Sequence, residues 1–296
     1  MKNRLFTVML AIAVVASCAA RSGARHVVLI ALDGWGAYSV PKAENITNIR
    51  DIMKKGCFTL HSRSVLPSSS AINWASMFMG AGTELHGYTE WNSRTPEIPS
   101  FQVNANGMFP TIFSLIREFM PEAETGCLME WDGIKYLIDS AAVSHVEIID
   151  QADSNALCKR AELYIESRKP DFVAVCFDQL DHAGHAVGHD TPGYYAALER
   201  LDGFIGRIVE ATRKAGIYDK TVFILTADHG GKGKGHGGKS LEEMEIPFII
   251  AGKGVRAGGE FKEVMMQYDT AATIAYIFGL DRPQAWTGRP AVQVFK

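Results

Sequence analysis

Several stretches of this chain are apolar at successive positions rather than at every second one: HVVLIAL (26–32), DFVAVCF (171–177), TVFIL (221–225) and EIPFIIAG (245–252). A strand with one wet face alternates apolar and polar residues. A strand that is apolar throughout has no wet face, so it belongs inside a sheet covered on both sides. Shorter strand-like pieces occur at CFTL (57–60) and TGCLMEW (125–131). Between these runs the apolar period changes to that of a helix. Ile46, Ile49, Ile52 and Met53 share a face in 44–55, which Gly56 ends, and Leu157, Ala161 and Ile165 do so in 156–169. Segments 67–82 (loop, then helix), 111–123, 194–216 and 269–280 read the same way. The alternation predicts an α/β fold, a three-layer α/β/α sandwich around a mostly parallel sheet.

With 296 residues, 47% of them hydrophobic, the chain can bury a large core. No internal repeat, low-complexity stretch or linker divides it, so one domain is expected over residues 24–296. The first residues differ: Lys2 and Arg4 precede an apolar run from Leu5 to Ala16, too short to span a bilayer. Residues 1–17 read as a signal peptide. The run ends in Val15-Ala16-Ser17-Cys18, which resembles a bacterial lipobox with Cys18 as the lipidated residue; the alternative is an ordinary signal peptide cleaved near Ala20 or Ser22. Export to the periplasm or cell envelope follows, with membrane contact only through the lipid anchor. The formal net charge is −3, and without residues 1–17 there are 28 basic against 33 acidic residues. That balance argues against polymeric nucleic acid as a partner. Cys57, Cys127, Cys158 and Cys176 show no CxxC spacing, and none reads as a metal ligand. Cys176 reads as a small buried apolar residue, and spacing assigns no disulfide among the other three.

Polar residues able to bind metal recur where the strands end. Asp33 closes the first strand, Asp178 and Asp181 follow DFVAVCF, and Asp228 and His229 close TVFILTA. Ligands of open α/β sheets bind outside the carboxyl ends of the strands, so three strands deliver carboxylates and imidazoles to one edge. TADHGGKGKGHGG (226–238) then adds His236 seven residues after His229, in a run too rich in glycine for a helix. His182, His185 and His189 lie in DQLDHAGHAVGHD, which reads as loop. Carboxylates mixed with imidazoles suit Zn²⁺, with Mn²⁺ or Fe²⁺ as competitors, and there are too many of them for one tetrahedral ion. Two divalent ions are expected. The irregular loops at 83–110 and 229–244 adjoin these residues, as functional loops on a rigid scaffold do.

LDGW (32–35), the serine loop with Asn73, LDHAGH (180–185), TADHG (226–230) and the later GHGG occur in an order that resembles the alkaline phosphatase superfamily. The most similar branch is that of the type I phosphodiesterases and nucleotide pyrophosphatases. The resemblance runs over roughly residues 26–280, and it implies an alkaline-phosphatase-like core without large insertions. It implies that Asp33, Asp228 and His229 hold one metal, and that Asp181, His185 and His236 hold the other. Ser68, Ser69 and Ser70 are adjacent, but the branch places its nucleophile three residues before an asparagine, which favours Ser70. Asn92 matches the asparagine that donates to a phosphoryl oxygen, although one extra residue separates it from His86-Gly87. His86 itself reads as a loop-structuring residue.

The implied activity is that of an exported metal-dependent phosphoric ester hydrolase acting through a phosphoserine on small esters. A sulfatase is disfavoured, because Ile72 and Trp74 stand where its signature has proline and arginine. A cofactor-independent phosphoglycerate mutase needs an inserted domain for which there is no room. The resemblance does not extend to nucleotide specificity, since Ala71 replaces an aromatic residue and the spacing from His229 to His236 is short. A diesterase leads. A monoesterase would need a further cation, for which Arg63 and Arg94 are candidates. A non-catalytic metal- or phosphate-binding lipoprotein is the alternative from another class.

Overall fold

A computed structural model describes residues 22–149 and 153–296, so the expected signal segment and Cys18 lie outside the described residues. Among the described residues, eight strands form one sheet: β1 (His26–Leu32), β2 (Cys57–Arg63), β3 (Thr125–Met129), β4 (His145–Ile148), β5 (Phe172–Phe177), β6 (Thr221–Thr226), β7 (Glu245–Gly252) and β8 (Gly259–Glu260). Their order is β4-β3-β5-β1-β6-β7-β2-β8. β1 pairs in parallel with both β5 and β6, and β7 is antiparallel to β6 and β2. β7 alone is therefore reversed, and the carboxyl ends of β1, β2, β5 and β6 open on the same rim.

The helices are α1 (Ser39–Lys42), α2 (Thr47–Lys55), α3 (Ser70–Met79), α4 (Thr83–His86), α5 (Ile112–Phe119), α6 (Ser154–Arg168), α7 (Gln179–Val187), α8 (Pro192–Lys214), α9 (Leu241–Met244) and α10 (Asp269–Phe278). β1 shows why the sheet needs cover on both faces. Val27, Leu29 and Ala31 pack into one core with α3, α5 and α10. Val28, Ile30 and Leu32 pack into a second with α2, α6 and α8. Burying one such leucine or isoleucine side chain stabilises by about 1.5–3 kcal/mol. The expected α/β/α layering is thus observed.

Several local expectations change. The helix expected through 123 stops at Phe119, because Pro121 disfavours helical geometry in the residue before it. β2 continues past Leu60 to Arg63 across an irregularity in its pairing with β7. β4 is a further strand with no counterpart among those expected: it is short, lies at the sheet edge and has no fully buried residue. The segment after β5, expected to be loop, is the helix α7, and its buried residues are only Leu180, Asp181 and Gly184. Cys57, Cys127, Cys158 and Cys176 are free and buried.

Candidate metal centre and nucleophile

Asp33 follows β1 directly, and Asp228 and His229 follow β6, so adjacent strands bring the three together. They are 2%, 0% and 0% exposed. His229 Nε2 lies 3.4 Å from Asp33 Oδ1 and 3.3 Å from Asp228 Oδ2. The second group combines Asp181 and His185, one turn apart on α7, with His236 from the glycine-rich loop. His185 Nε2 is 3.1 Å from Asp181 Oδ2, and His236 Nε2 is 3.9 Å from Asp181 Oδ1. Within each group one donor atom per residue lies within 4.8 Å of the others. The groups adjoin at Gly34, whose φ is +71° and where a Cβ would sit 2.8 Å from Asp181 Oδ1. Glycine is required there on both counts.

Each imidazole is oriented from behind by a backbone carbonyl. His229 Nδ1 lies 2.8 Å from Gly230 O, His236 Nδ1 3.2 Å from Ser68 O, and His185 Nδ1 2.9 Å from Lys234 O. In the neutral rings of His229 and His236 these contacts place the one N–H on Nδ1, which leaves Nε2 as an acceptor facing carboxylate oxygen. Burial, then His236 beside it, holds His229 well below the usual histidine range, and burial brings His236 to about 4. The contacts of these two rings with the carboxylates are therefore not ion pairs. Burial, reinforced by neighbouring carboxylates, pushes Asp33 and Asp228 well up, and burial raises Asp181 to about 6. Asp33 Oδ1, Asp228 Oδ2 and Asp181 Oδ1 are buried without a hydrogen-bond donor. Acceptors crowded against acceptors in a dry site leave a shortage of positive charge. Two divalent cations fit that shortage, one per group, and the mixed donor set suits Zn²⁺, Mn²⁺ or Fe²⁺.

The three adjacent serines have different surroundings. Ser68 Oγ donates to Gly238 O at 2.6 Å. Ser69 precedes α3 and makes no side-chain cap bond. Its Oγ would sit 3.0 Å from a Cβ at Gly237, where φ is +98°. Ser70 opens α3, and its Oγ is 3.1 Å from His229 Nε2. Asn73 staples this turn: Oδ1 accepts from Val65 N at 2.7 Å, and Nδ2 donates to the carbonyls of Val65, Pro67 and Ser69 at 3.0–3.2 Å. These bonds hold the turn that leads into Ser70. Trp74 Nε1 donates to Asp33 Oδ2 at 3.1 Å, a contact sequence reasoning missed because the residue reads as core.

Ala71 N donates to Trp91 O at 3.0 Å, which brings the segment carrying Asn92 beside the start of α3, with Asn92 itself exposed. Arg63 pairs with Glu245 at 3.1 Å, and Arg94 lies over the Tyr136 ring near Asp132, so both guanidiniums have other partners. His86 is a buried link between Ser76 Oγ (3.0 Å) and Tyr88 N (3.1 Å), and burial lowers it to about 3. His182 pairs with Asp178 at 2.9 Å. His189 is buried against Gly233 O.

A mostly parallel sheet with aspartates and histidines on its carboxyl rim and a serine at a helix start marks the alkaline phosphatase superfamily. Residues 27–235 match the family model described as type I phosphodiesterase / nucleotide pyrophosphatase, and the chain belongs to that family. Murine ectonucleotide pyrophosphatase / phosphodiesterase 5 superposes with a TM-score of 0.75 at 14% identity, covering 92% of this chain and 100% of that one. An inactive threonine-to-alanine form of that protein, in complex with AMP, gives 0.73, 14% identity, 91% and 98%. A 2-O GAG sulfatase gives 0.73, 15%, 92% and 74%. In sequence, the 2,3-bisphosphoglycerate-independent phosphoglycerate mutase of Shewanella oneidensis is 29% identical over 170 residues, 54% of this chain and 30% of the mutase. The chain thus spans under a third of the length of that curated relative.

Proposed function

We propose that this protein is a metal-dependent hydrolase of small phosphoric esters, a diesterase in preference, with Ser70 as nucleophile in a single unit over residues 24–296. The observation that carries the reading is the Ser70 hydroxyl 3.1 Å from His229 Nε2, on the edge of six convergent ligand side chains. Asp33, Asp228 and His229 would hold one ion, and Asp181, His185 and His236 the other. When bound, such ions supply Lewis-acid charge and lower the pKa of a neighbouring hydroxyl. Ser70 Oγ attacks phosphorus, a bond from Oγ to phosphorus forms, and the ester bond to the leaving alcohol breaks. Water later cleaves the phosphoserine and restores the hydroxyl. Ser70 stands at the amino end of α3, where helix polarity favours an anionic phosphoryl group. Asn92 is the candidate donor to a non-bridging oxygen.

The diester preference rests on charge. A monoester brings one more negative charge, and the candidate cations Arg63 and Arg94 are engaged by Glu245 and by Asp132 with Tyr136. The net charge of −3 favours a small ester over polymeric nucleic acid. Lys2, Arg4 and the apolar run up to Cys18 support export with a lipid anchor. Loaded with Zn²⁺ or Mn²⁺, the protein is expected to cleave bis-p-nitrophenyl phosphate faster than p-nitrophenyl phosphate. A faster monoester would reverse the preference, and turnover of neither would favour a binding protein.

A further inference from the structure

Glu130 follows β3 directly, is 1% exposed, and lies outside both ligand groups. Its N–H donates to Cys176 O at 3.2 Å, which ties it to β5. Its Oε2 accepts from the backbone N–H of Asp178 and from that of Gln179 at 3.2 Å. Those are the capping residue and the first residue of α7. A helix leaves its first N–H groups without intrahelical partners, and the capping side chain ordinarily satisfies one. Asp178 makes no such bond; its carboxylate pairs with His182 instead. A carboxylate from a neighbouring strand therefore caps α7 and lies where the helix dipole favours negative charge.

α7 needs that support. It has nine residues, well below the length at which an isolated helix persists, and Gly184 sits in its interior. Asp181 and His185 both ride on it, whereas Asp33, Asp228 and His229 hang from β1 and β6. Burial pushes the Glu130 carboxyl up to about 7, so an apolar residue there would cost less desolvation.

We infer that Glu130 is a positioning residue: by capping α7 it sets where Asp181 and His185 stand, and so tunes one of the two ion sites and not the other. This rests on the two-ion reading above. The test is Zn²⁺ titration of the metal-free protein against a chromophoric chelator, with melting of each metal-free form alongside. Wild type is expected to take two ions. E130A should lose about 10–100-fold in affinity at one site, as for other groups that orient metal ligands, with the second site unchanged. E130Q keeps an acceptor oxygen and should recover most of the loss. E130D withdraws the carboxylate by one methylene and should behave as E130A, which covers the case in which E130A fails to fold. Two sites bound as in wild type by E130A and E130D, or both weakened equally, would overturn the inference. A wild type that takes fewer than two ions would overturn the reading beneath it.

Discussion

Ser70→Ala is expected to lower turnover of a phosphodiester by about 10⁴–10⁶-fold, the range seen when a hydrolase loses its nucleophile. The fold should survive almost intact. Alanine suits the first turn of α3, and the lost contact with His229 is worth about 1 kcal/mol. The neighbouring serines provide the control. Ser68 is spent on Gly238 O, and Ser69 makes no cap bond, so Ser68→Ala and Ser69→Ala should each retain activity within about tenfold, a loss of about 1.4 kcal/mol. Steady-state kinetics on the three variants decide it. A dead Ser69→Ala beside an active Ser70→Ala would move the nucleophile by one residue.

Asp228→Asn should separate stability from activity. Asp228 Oδ1 accepts from Gly34 N at 3.1 Å and His229 N at 2.8 Å, and an asparagine oxygen can keep both bonds. Its other oxygen is buried without a donor, as is Asp33 Oδ1, and the charge of Asp181 adds to the repulsion. The amide removes one carboxylate from that crowd and supplies an N–H. The metal-free protein should gain about 1–2 kcal/mol, the scale of relieving an unsatisfied buried group, and melt a few degrees higher. Activity should fall by about 10³-fold or more, because Lewis-acid stabilisation is worth several kcal/mol and each 1.4 kcal/mol is tenfold. Thermal melts with and without chelator, beside kinetics at saturating metal, test both halves. A variant that melts lower than wild type without metal, or that keeps its activity, would contradict this account of the site.

What the sequence disclosed follows from which contacts leave a pattern in it. β1, β5 and β6 were legible because both their faces are buried, so they are apolar at successive positions. Their carboxyl ends were legible in consequence, and Asp33, Asp228 and His229 do meet there. α7 was not, because Leu180 is its sole large buried apolar residue, and its start is held by Glu130 from a distant part of the chain. β4 was missed because a half-buried edge strand alternates weakly. The carbonyls of Gly230, Ser68 and Lys234 that orient the imidazoles have no sequence signature, since every residue carries one. Trp74 and Asn73 were visible as residue types, but the indole bond to Asp33 and the stapled serine turn exist only in the fold.

The central claim is that six side chains from β1, β6, α7 and the glycine-rich loop hold two divalent cations beside the Ser70 oxygen. Anomalous diffraction at the zinc absorption edge from zinc-loaded crystals tests it most directly. Two peaks are expected, one among Asp33, Asp228 and His229 within reach of Ser70, the other among Asp181, His185 and His236. A single peak, or peaks on other residues, would contradict it.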